Sequence, residues 1–142
     1  MDLKTTLGDM LDGLPGVSSS TFGPNANRPV VRGLDGDRIR ILNNGGASLD
    51  ASALSSDHAV PLDPLSIERI EVLRGPGALL YGASAAGGVV NVIDNRIPRE
   101  PVEGFAGKAD VGVATGNRER GGGLMLEGGN ARYALHVDAF DR

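Results

Sequence analysis

Residues 67–95 read IERIEVLRGPGALLYGASAAGGVVNVIDN, and this stretch decides the fold. Its first residues alternate between polar and apolar, which is typical of a half-buried strand, and Gly75 ends the alternation. Pro76 suits the first position of a short helix, and Gly82 is placed to end that helix in a left-handed conformation that glycine adopts at little cost. The apolar run VVNVI then predicts a strand that is buried on both faces.

The glycines of this stretch also imitate a dinucleotide-binding fingerprint. Gly75 and Gly77 follow a strand, and Asp94 lies at the end of the next one, where that fingerprint places an acidic residue. However, Leu80 stands where the third glycine belongs, and the chain between the glycines and the next strand is too short for a crossover helix. A nucleotide-binding enzyme that uses residues 75–77 therefore remains only as an alternative, and it would predict saturable dinucleotide binding.

The length and composition of the chain indicate one domain of modest size and exclude several classes of function. The 142 residues include 22 glycines and 4% aromatic residues, which favours turns and short strands over long helices. The net charge is −4 and both signs are mixed along the chain, so no basic field is available for nucleic acid. Cysteine is absent, which excludes a disulfide framework and any cysteine-based zinc or nucleophile chemistry.

The segment ahead of the deciding stretch predicts short elements separated by loops. A capping box at residues 6–9 starts an amphipathic pattern of helical period, so a short helix is expected there. Residues 18–28 are polar and read as a loop. Residues 29–32 and 37–42 predict two strands joined in a hairpin around an Asp-Gly pair. Residues 47–62 have no sustained period and read as a long loop, which in compact domains is often functional.

The C-terminal part of the chain predicts three further strands. Residues 105–113, 124–127 and 133–139 alternate between apolar and polar, and turn residues join them. Transmembrane barrel strands have this pattern, with apolar residues toward lipid and polar residues toward the lumen, although a soluble meander has it too. A barrel needs about eight strands, and plugged transporters have about 22. Three strands therefore predict the N-terminal piece of a longer protein.

Several separated motifs carry a resemblance to a known family. In chain order they comprise Arg32, Gly33, Glu71, Val72, Leu73, Arg74, Gly75, Pro76, Leu80, Tyr81, Gly82, Gly87, Gly88, Val89 and Asn91. Together they resemble the plug domain of TonB-dependent outer-membrane receptors. Residues 38–45 resemble the central strands of that plug, and residues 7–17 its first helix. The resemblance covers roughly residues 4–98.

This resemblance implies an α+β fold, in which a small mixed-sheet plug with short helices precedes antiparallel strands of a truncated transmembrane β-barrel. Residues 1–100 would form the plug and residues 101–142 the first barrel strands. It implies a receptor rather than an enzyme, in the outer membrane of a Gram-negative cell, with the plug inside the barrel lumen. A TonB-type periplasmic protein would energise uptake of a scarce solute, without nucleic acid. A stand-alone soluble ligand-binding or interaction module is the alternative.

Two arginines are expected to hold the plug in place. By resemblance, Arg32 and Arg74 match plug arginines that pair with barrel glutamates and so latch the plug in the pore. A guanidinium suits this role because it binds a carboxylate through two parallel hydrogen bonds and stays charged when partly buried. The alternative is that both arginines are solvated or pair with Glu68 and Glu71.

Asp57 and His58 are the candidate metal ligands. A carboxylate beside an imidazole offers the oxygen and nitrogen ligands that Zn²⁺ takes, although two neighbours cannot complete a tetrahedron. Residues 57–64 resemble the zinc-uptake branch of these receptors, which implies zinc as cargo rather than cofactor. Another metal ion, haem or a ferric siderophore also fits the plug motif. No G-x-S-x-G elbow occurs, and only His58 and His136 could serve as bases, so no catalytic constellation is expected.

Overall fold

A computed structural model describes residues 6–20, 22–23, 26–47, 55, 58, 60, 62, 66–114 and 119–141. The regular elements of this part are α1 (Leu7–Leu11), β1 (Val17–Ser19), β2 (Pro29–Val31), β3 (Ile39–Asn43), β4 (Gly46–Ala47), β5 (Ile67–Leu73), β6 (Gly88–Asp94), β7 (Gly104–Ala114), β8 (Glu119–Gly129) and β9 (Ala134–Asp141). Short 3₁₀-helices span Gly36–Arg38, Pro76–Tyr81 and Ala83–Ala85. Among the described residues, no helix combines the length and apolar character needed to span a membrane.

The central sheet is mixed and contains four strands in the order β4, β3, β6, β5. β6 runs parallel to β3 and antiparallel to β5. Its place between two strands explains its apolar sequence, since Val89, Val90 and Val92 are each at most 2% exposed. The prediction of a fully buried strand is confirmed. The antiparallel pairing of β5 with β6 also differs from a dinucleotide-binding unit, in which the strands around the glycine turn are parallel.

Helix α1 closes one side of the core. Thr6 caps it as the sequence predicts, because the Thr6 hydroxyl accepts a hydrogen bond from the Asp9 backbone N–H at 3.2 Å. Leu7 and Leu11 are buried and belong to one apolar cluster with side chains of β1, β2, β3 and β6. Burying these two leucines holds the helix on the strands, since a five-residue helix has little stability alone.

The close approach of α1 to the strands depends on Gly8. A Cβ atom at this position would lie 2.6 Å from Ser19 Oγ and 2.8 Å from the Arg28 carbonyl oxygen. Only glycine leaves room for these contacts. The helix is also shorter than the resemblance implied: it ends at Leu11 instead of continuing through residues 7–17.

The predicted hairpin around the Asp-Gly pair at residues 35–36 is wrong. β2 pairs with β1 in a separate two-stranded sheet, whereas β3 lies in the central sheet. The chain turns earlier, at Arg32 and Gly33, and Val31 and Leu34 exchange backbone hydrogen bonds of 2.9 Å and 3.0 Å across that turn. The turn comes too soon for β2 to run beside β3, so β2 pairs instead with β1, part of which was predicted to be loop.

The C-terminal sheet contains β7, β8 and β9 in sequence order, all antiparallel, as predicted. Its register aligns Lys108, Met125 and Asp138 in one row, and so on one face. The opposite face carries apolar side chains with exposures between 48% and 82%: Phe105, Val111, Val113, Leu124, Leu135 and Val137. The sheet is therefore amphipathic, with its apolar face open.

A mixed sheet with short helices, followed by an antiparallel sheet, confirms the predicted α+β class. The central sheet ends at Asp94 and the antiparallel sheet begins at Gly104. The division into residues 1–100 and 101–142 stays a prediction.

Candidate functional site

In the connection between β5 and β6, a glycine lies at each end of the first helix. Gly75 lies just after β5 with φ of +93°, and the 3₁₀-helix Pro76–Tyr81 begins with proline as predicted. Gly82 ends that helix with φ of +104° and ψ of 172°. This is an extended backbone with positive φ rather than the predicted left-handed conformation, yet it requires glycine for the same steric reason.

The 3₁₀-helix Pro76–Tyr81 has one buried residue, and its other residues are exposed. Ala78 is 1% exposed and packs in a small cluster with Leu42 and Val89. Leu80 is 90% exposed and Tyr81 is 46% exposed. The predicted motif residue Tyr81 thus lies on an outer apolar surface of the turn and not in the core.

Gly87 and Gly88 bring the chain back between neighbouring segments. A Cβ atom on Gly87 would lie 2.9 Å from the Leu34 Cβ, and one on Gly88 would lie 2.9 Å from the Leu73 carbonyl oxygen. Both distances are shorter than real side chains permit, and Gly88 also has φ of +149°. Gly87 is therefore required by the packing against the segment that leads into β3, and Gly88 by the packing of β6 beside β5.

Asn91 links β6 to β5 and to the β3–β4 turn through its side chain. Its Oδ1 accepts the backbone N–H of Gly45 at 2.9 Å, and its Nδ2 donates to Glu71 Oε2 at 3.2 Å. It thereby connects β6 to the β3–β4 turn on one side and to β5 on the other. The Asn91 side chain therefore has a structural role in the central sheet.

Arg32 and Arg74, the predicted latch pair, come together at one backbone segment. The Arg32 backbone N–H donates to the Gly16 carbonyl at 2.8 Å, and the Arg74 guanidinium donates to the Pro15 carbonyl. A Cβ atom on Gly16 would lie 3.9 Å from both side chains. The two arginines are therefore neighbours, although they stand far apart in sequence.

Both side chains of this pair are exposed and available to carboxylates. Arg32 has φ of +52°, unusual for a residue with a side chain, and Gly33 follows with φ of +77°. Glu71 pairs with Arg69 at 3.2 Å, and not with either latch arginine. Within the described residues, neither latch arginine has a carboxylate within ion-pair distance. The pair is a doubly cationic surface that could bind two carboxylates.

The predicted metal pair is only partly described. Asp57 lies outside the described residues, as does most of the long loop predicted over residues 47–62. His58 is exposed, and its backbone N–H donates to the Ser55 carbonyl at 3.3 Å. Across the part of the chain that the structure describes, no group of three or more His, Asp or Glu side chains could hold a metal ion.

Sequence reasoning missed a polar cluster on the C-terminal sheet. His136 Nδ1 lies 2.9 Å from Glu127 Oε1, and the side chain of Asn95, just after β6, donates to the same oxygen at 2.9 Å. The alternation of β8 and β9 places Glu127 and His136 on the polar face, which was a visible signal. Their pairing also required the register between those strands, which the sequence alone did not provide.

Comparison with known families and proteins gives a consistent result. The family model described as TonB-dependent Receptor Plug Domain matches residues 2–89. Over 140 residues the chain is 36% identical to the vitamin B12 transporter BtuB of Photobacterium profundum, covering 96% of this chain and 22% of the transporter. Over 127 residues it is 34% identical to a hemin receptor of Yersinia pestis, covering 87% and 18%.

Solved structures give a matching fold. The copper transporter OprC is similar with a TM-score of 0.74 and 26% identity, over 94% of this chain and 20% of that one. The siderophore receptor PirA from Acinetobacter baumannii has a TM-score of 0.69 at 22% identity, over 99% and 22%, which supports the fold alone. The chain spans about a fifth of the length of these relatives. The family match and the two curated relatives, a transporter and a receptor by name, confirm the expectation of a non-enzyme.

Proposed function

This chain belongs to the plug domains of TonB-dependent receptors, and we propose that it forms the plug and first barrel strands of a receptor for energy-coupled solute uptake. The receptor would lie in the outer membrane of a Gram-negative cell, with the plug inside the barrel lumen. Its partner would be a TonB-type periplasmic protein. Relatives named for vitamin B12, hemin, siderophores and copper favour a metal ion or a metal chelate as cargo.

The two-sided C-terminal sheet is the observation that carries this proposal. Its polar face meets the plug, since Asn95 donates to Glu127 at 2.9 Å. Its apolar face is open, with Val111 82% exposed and Phe105 78% exposed. A contiguous apolar face of this kind is costly in water and favourable in lipid. A stand-alone soluble module would have to cover it in another way.

The latch is proposed to work through the segment that carries both arginines. Arg32 and Arg74 bond to Gly16 and Pro15, which lie in the segment between α1 and β1. A pull on the chain ahead of α1 would therefore be transmitted through α1 to the backbone that contacts both arginines. Moving that segment would withdraw the arginines from barrel glutamates and free the plug.

The latch can be tested in the full-length receptor by measuring the passage of a large antibiotic that the closed plug excludes. We expect Arg32→Ala combined with Arg74→Ala to raise passage about tenfold, because each lost charged hydrogen bond weakens plug retention. Arg38→Ala is the matched control, since Arg38 is an exposed plug arginine on a 3₁₀-helix. Equal passage for wild type and the double variant would remove the latch role.

Zinc is the specific cargo proposed for the outward loop, on the basis of Asp57 and His58. Calorimetric titration of zinc into the full-length receptor in detergent tests it. We expect Asp57→Ala with His58→Ala to abolish a tight site, because the carboxylate and imidazole would be two of its ligands. Asp37→Ala, at an exposed acid elsewhere, should leave that site intact. Unchanged binding in the double variant, or no tight site in wild type, would refute zinc.

A further inference from the structure

Asn95 connects the plug to the C-terminal sheet. Residues 95–103 join β6 to β7. At their start, the Asn95 backbone N–H donates to the Ser66 carbonyl, next to β5, at 3.1 Å. The Asn95 Nδ2 donates to Glu127 Oε1 of β8 at 2.9 Å. One residue therefore bonds to both sheets at the point where the chain passes between them.

The hydrogen-bond donors and acceptors around Glu127 determine how the neighbouring side chains are oriented. An ionised carboxylate only accepts hydrogen bonds, so the Asn95 atom that faces Glu127 is the nitrogen. His136 Nδ1 lies 2.9 Å from the same carboxylate oxygen and must therefore carry a proton. Its Nε2 lies 3.3 Å from Asp138 Oδ1. The imidazole is 4% exposed and the Glu127 side chain 17%, so water competes little for these bonds.

A second set of bonds holds the same connection to the β3–β4 turn. Asn44 has φ of +51° in that turn, and its Nδ2 donates to Asp94 Oδ1 at 2.8 Å. The Asn44 Oδ1 accepts from the Asp94 backbone N–H at 3.2 Å and from Arg99 Nη2 at 3.1 Å. The end of β6 and the connection after it are thus bound at two separate points.

We propose that Asn95, Glu127 and His136 form a junction network that keeps the end of the plug on the barrel wall while its N-terminal part rearranges, and that Asn44 separately holds the same connection to the β3–β4 turn. The proposal rests on the proposed function, since it gives the network a role in the uptake cycle. Its bonds use ionised carboxylates, which hold more strongly than bonds between neutral groups. Asn95 is then a positioning residue that acts through Glu127.

Amide hydrogen exchange of the 142-residue chain in detergent micelles tests the network itself. We expect Asn95→Ala to raise exchange about fivefold in residues 95–103 and 134–138, because Glu127 loses one of its donors. The amides of β3 should keep their wild-type rates, because β6 still pairs with β3.

Two further variants separate the network from general loss of folding. Asn95→Asp should raise exchange more, since two carboxylates then face each other. Adding Glu127→Gln should restore protection, because the introduced amide nitrogen donates to the carboxylate at position 95 and to His136 Nδ1, while the imidazole proton moves to Nε2 beside Asp138. Asn91→Ala is the matched control: it breaks a bond of the same type, to Glu71 at 3.2 Å, on the plug alone. It should leave residues 134–138 unchanged. Unchanged exchange in Asn95→Ala, or no rescue of Asn95→Asp, would overturn the network.

Transport by the full-length receptor tests the assigned role. Asn95→Ala should slow uptake at unchanged cargo affinity, because the network acts on plug movement and not on the cargo site. An unchanged uptake rate, in a variant whose exchange has changed, would refute the role in the cycle. If the wild-type receptor takes up no solute, the proposed function fails, and the exchange results still decide whether the network exists.

Discussion

At Gly88 the chain passes so close to β5 that one added methyl group tests the packing of the central sheet. An added Cβ would lie 2.9 Å from the Leu73 carbonyl oxygen, and φ is +149°. We expect Gly88→Ala to lower the free energy of unfolding by roughly 1–3 kcal/mol, because the strained backbone and the clash act together. Denaturant-induced unfolding of the chain in detergent measures this change.

Gly77→Ala is the matched control for that substitution. Gly77 lies in the same connection, and an added Cβ would meet nothing within 4 Å. Its unfolding free energy should stay within about 0.5 kcal/mol of wild type. Equal destabilisation by both substitutions would contradict the importance of the Leu73 contact and of the positive φ at Gly88.

At the scale of residues, contacts between sequence neighbours could be predicted, and contacts between distant residues could not. The cap formed by Thr6 and Asp9 needs only residues three apart, and the break at Gly75 needs only one residue, so the sequence predicts both. The contact of Asn95 with Glu127 joins residues 32 apart, across two sheets. Its presence depends on how those sheets meet, which no local pattern encodes.

At the scale of elements, the alternation of apolar and polar residues predicted the long strands correctly and did not predict the short strand β1. β7, β8 and β9 have 11, 11 and 8 residues, enough for alternation to be read. β1 has three residues, two of them serine, so its polar composition resembled a loop. The hairpin predicted around residues 35–36 was wrong for a related reason. The turn at Arg32 depends on a positive φ at a residue with a side chain, which no local sequence pattern predicts.

Removing residues 104–142 tests whether the C-terminal sheet is separable from the plug. We expect the shortened chain to be more soluble without detergent, because the open apolar face and the unpaired strand edges are lost. The central sheet should persist, since β3, β5 and β6 pair with one another. Size-exclusion chromatography and circular dichroism without detergent measure both properties.

A shorter deletion provides the control for this experiment. Removing only residues 134–142 deletes β9 but leaves the apolar faces of β7 and β8 and a new open edge on β8. Its solubility should be no better than that of the full chain. Unfolding of the chain that lacks residues 104–142 would instead favour one compact soluble domain.

At the scale of the whole molecule, the mixed sheet and the order of sheets could be predicted, and the functional surfaces only in part. The separated motifs between Arg32 and Asn91 specify one family because they are many and ordered, and the match to residues 2–89 confirms it. Bringing Arg32 beside Arg74 required the folded chain, since Gly16 joins them. The proposed cargo site at Asp57 and His58 stays a prediction, since two neighbouring residues cannot complete a metal site by themselves.

The pairing pattern of the sheets has a consequence for the order in which they assemble. β7, β8 and β9 each pair with a neighbour in sequence, so closing them requires only short loops. β3 and β6 must meet across the long segment from residue 43 to residue 88, which carries a larger entropic cost and slows pairing. We expect the C-terminal meander to form early during folding and the central sheet late. The amphipathic C-terminal sheet would then exist, with its apolar face open, before the central sheet is complete.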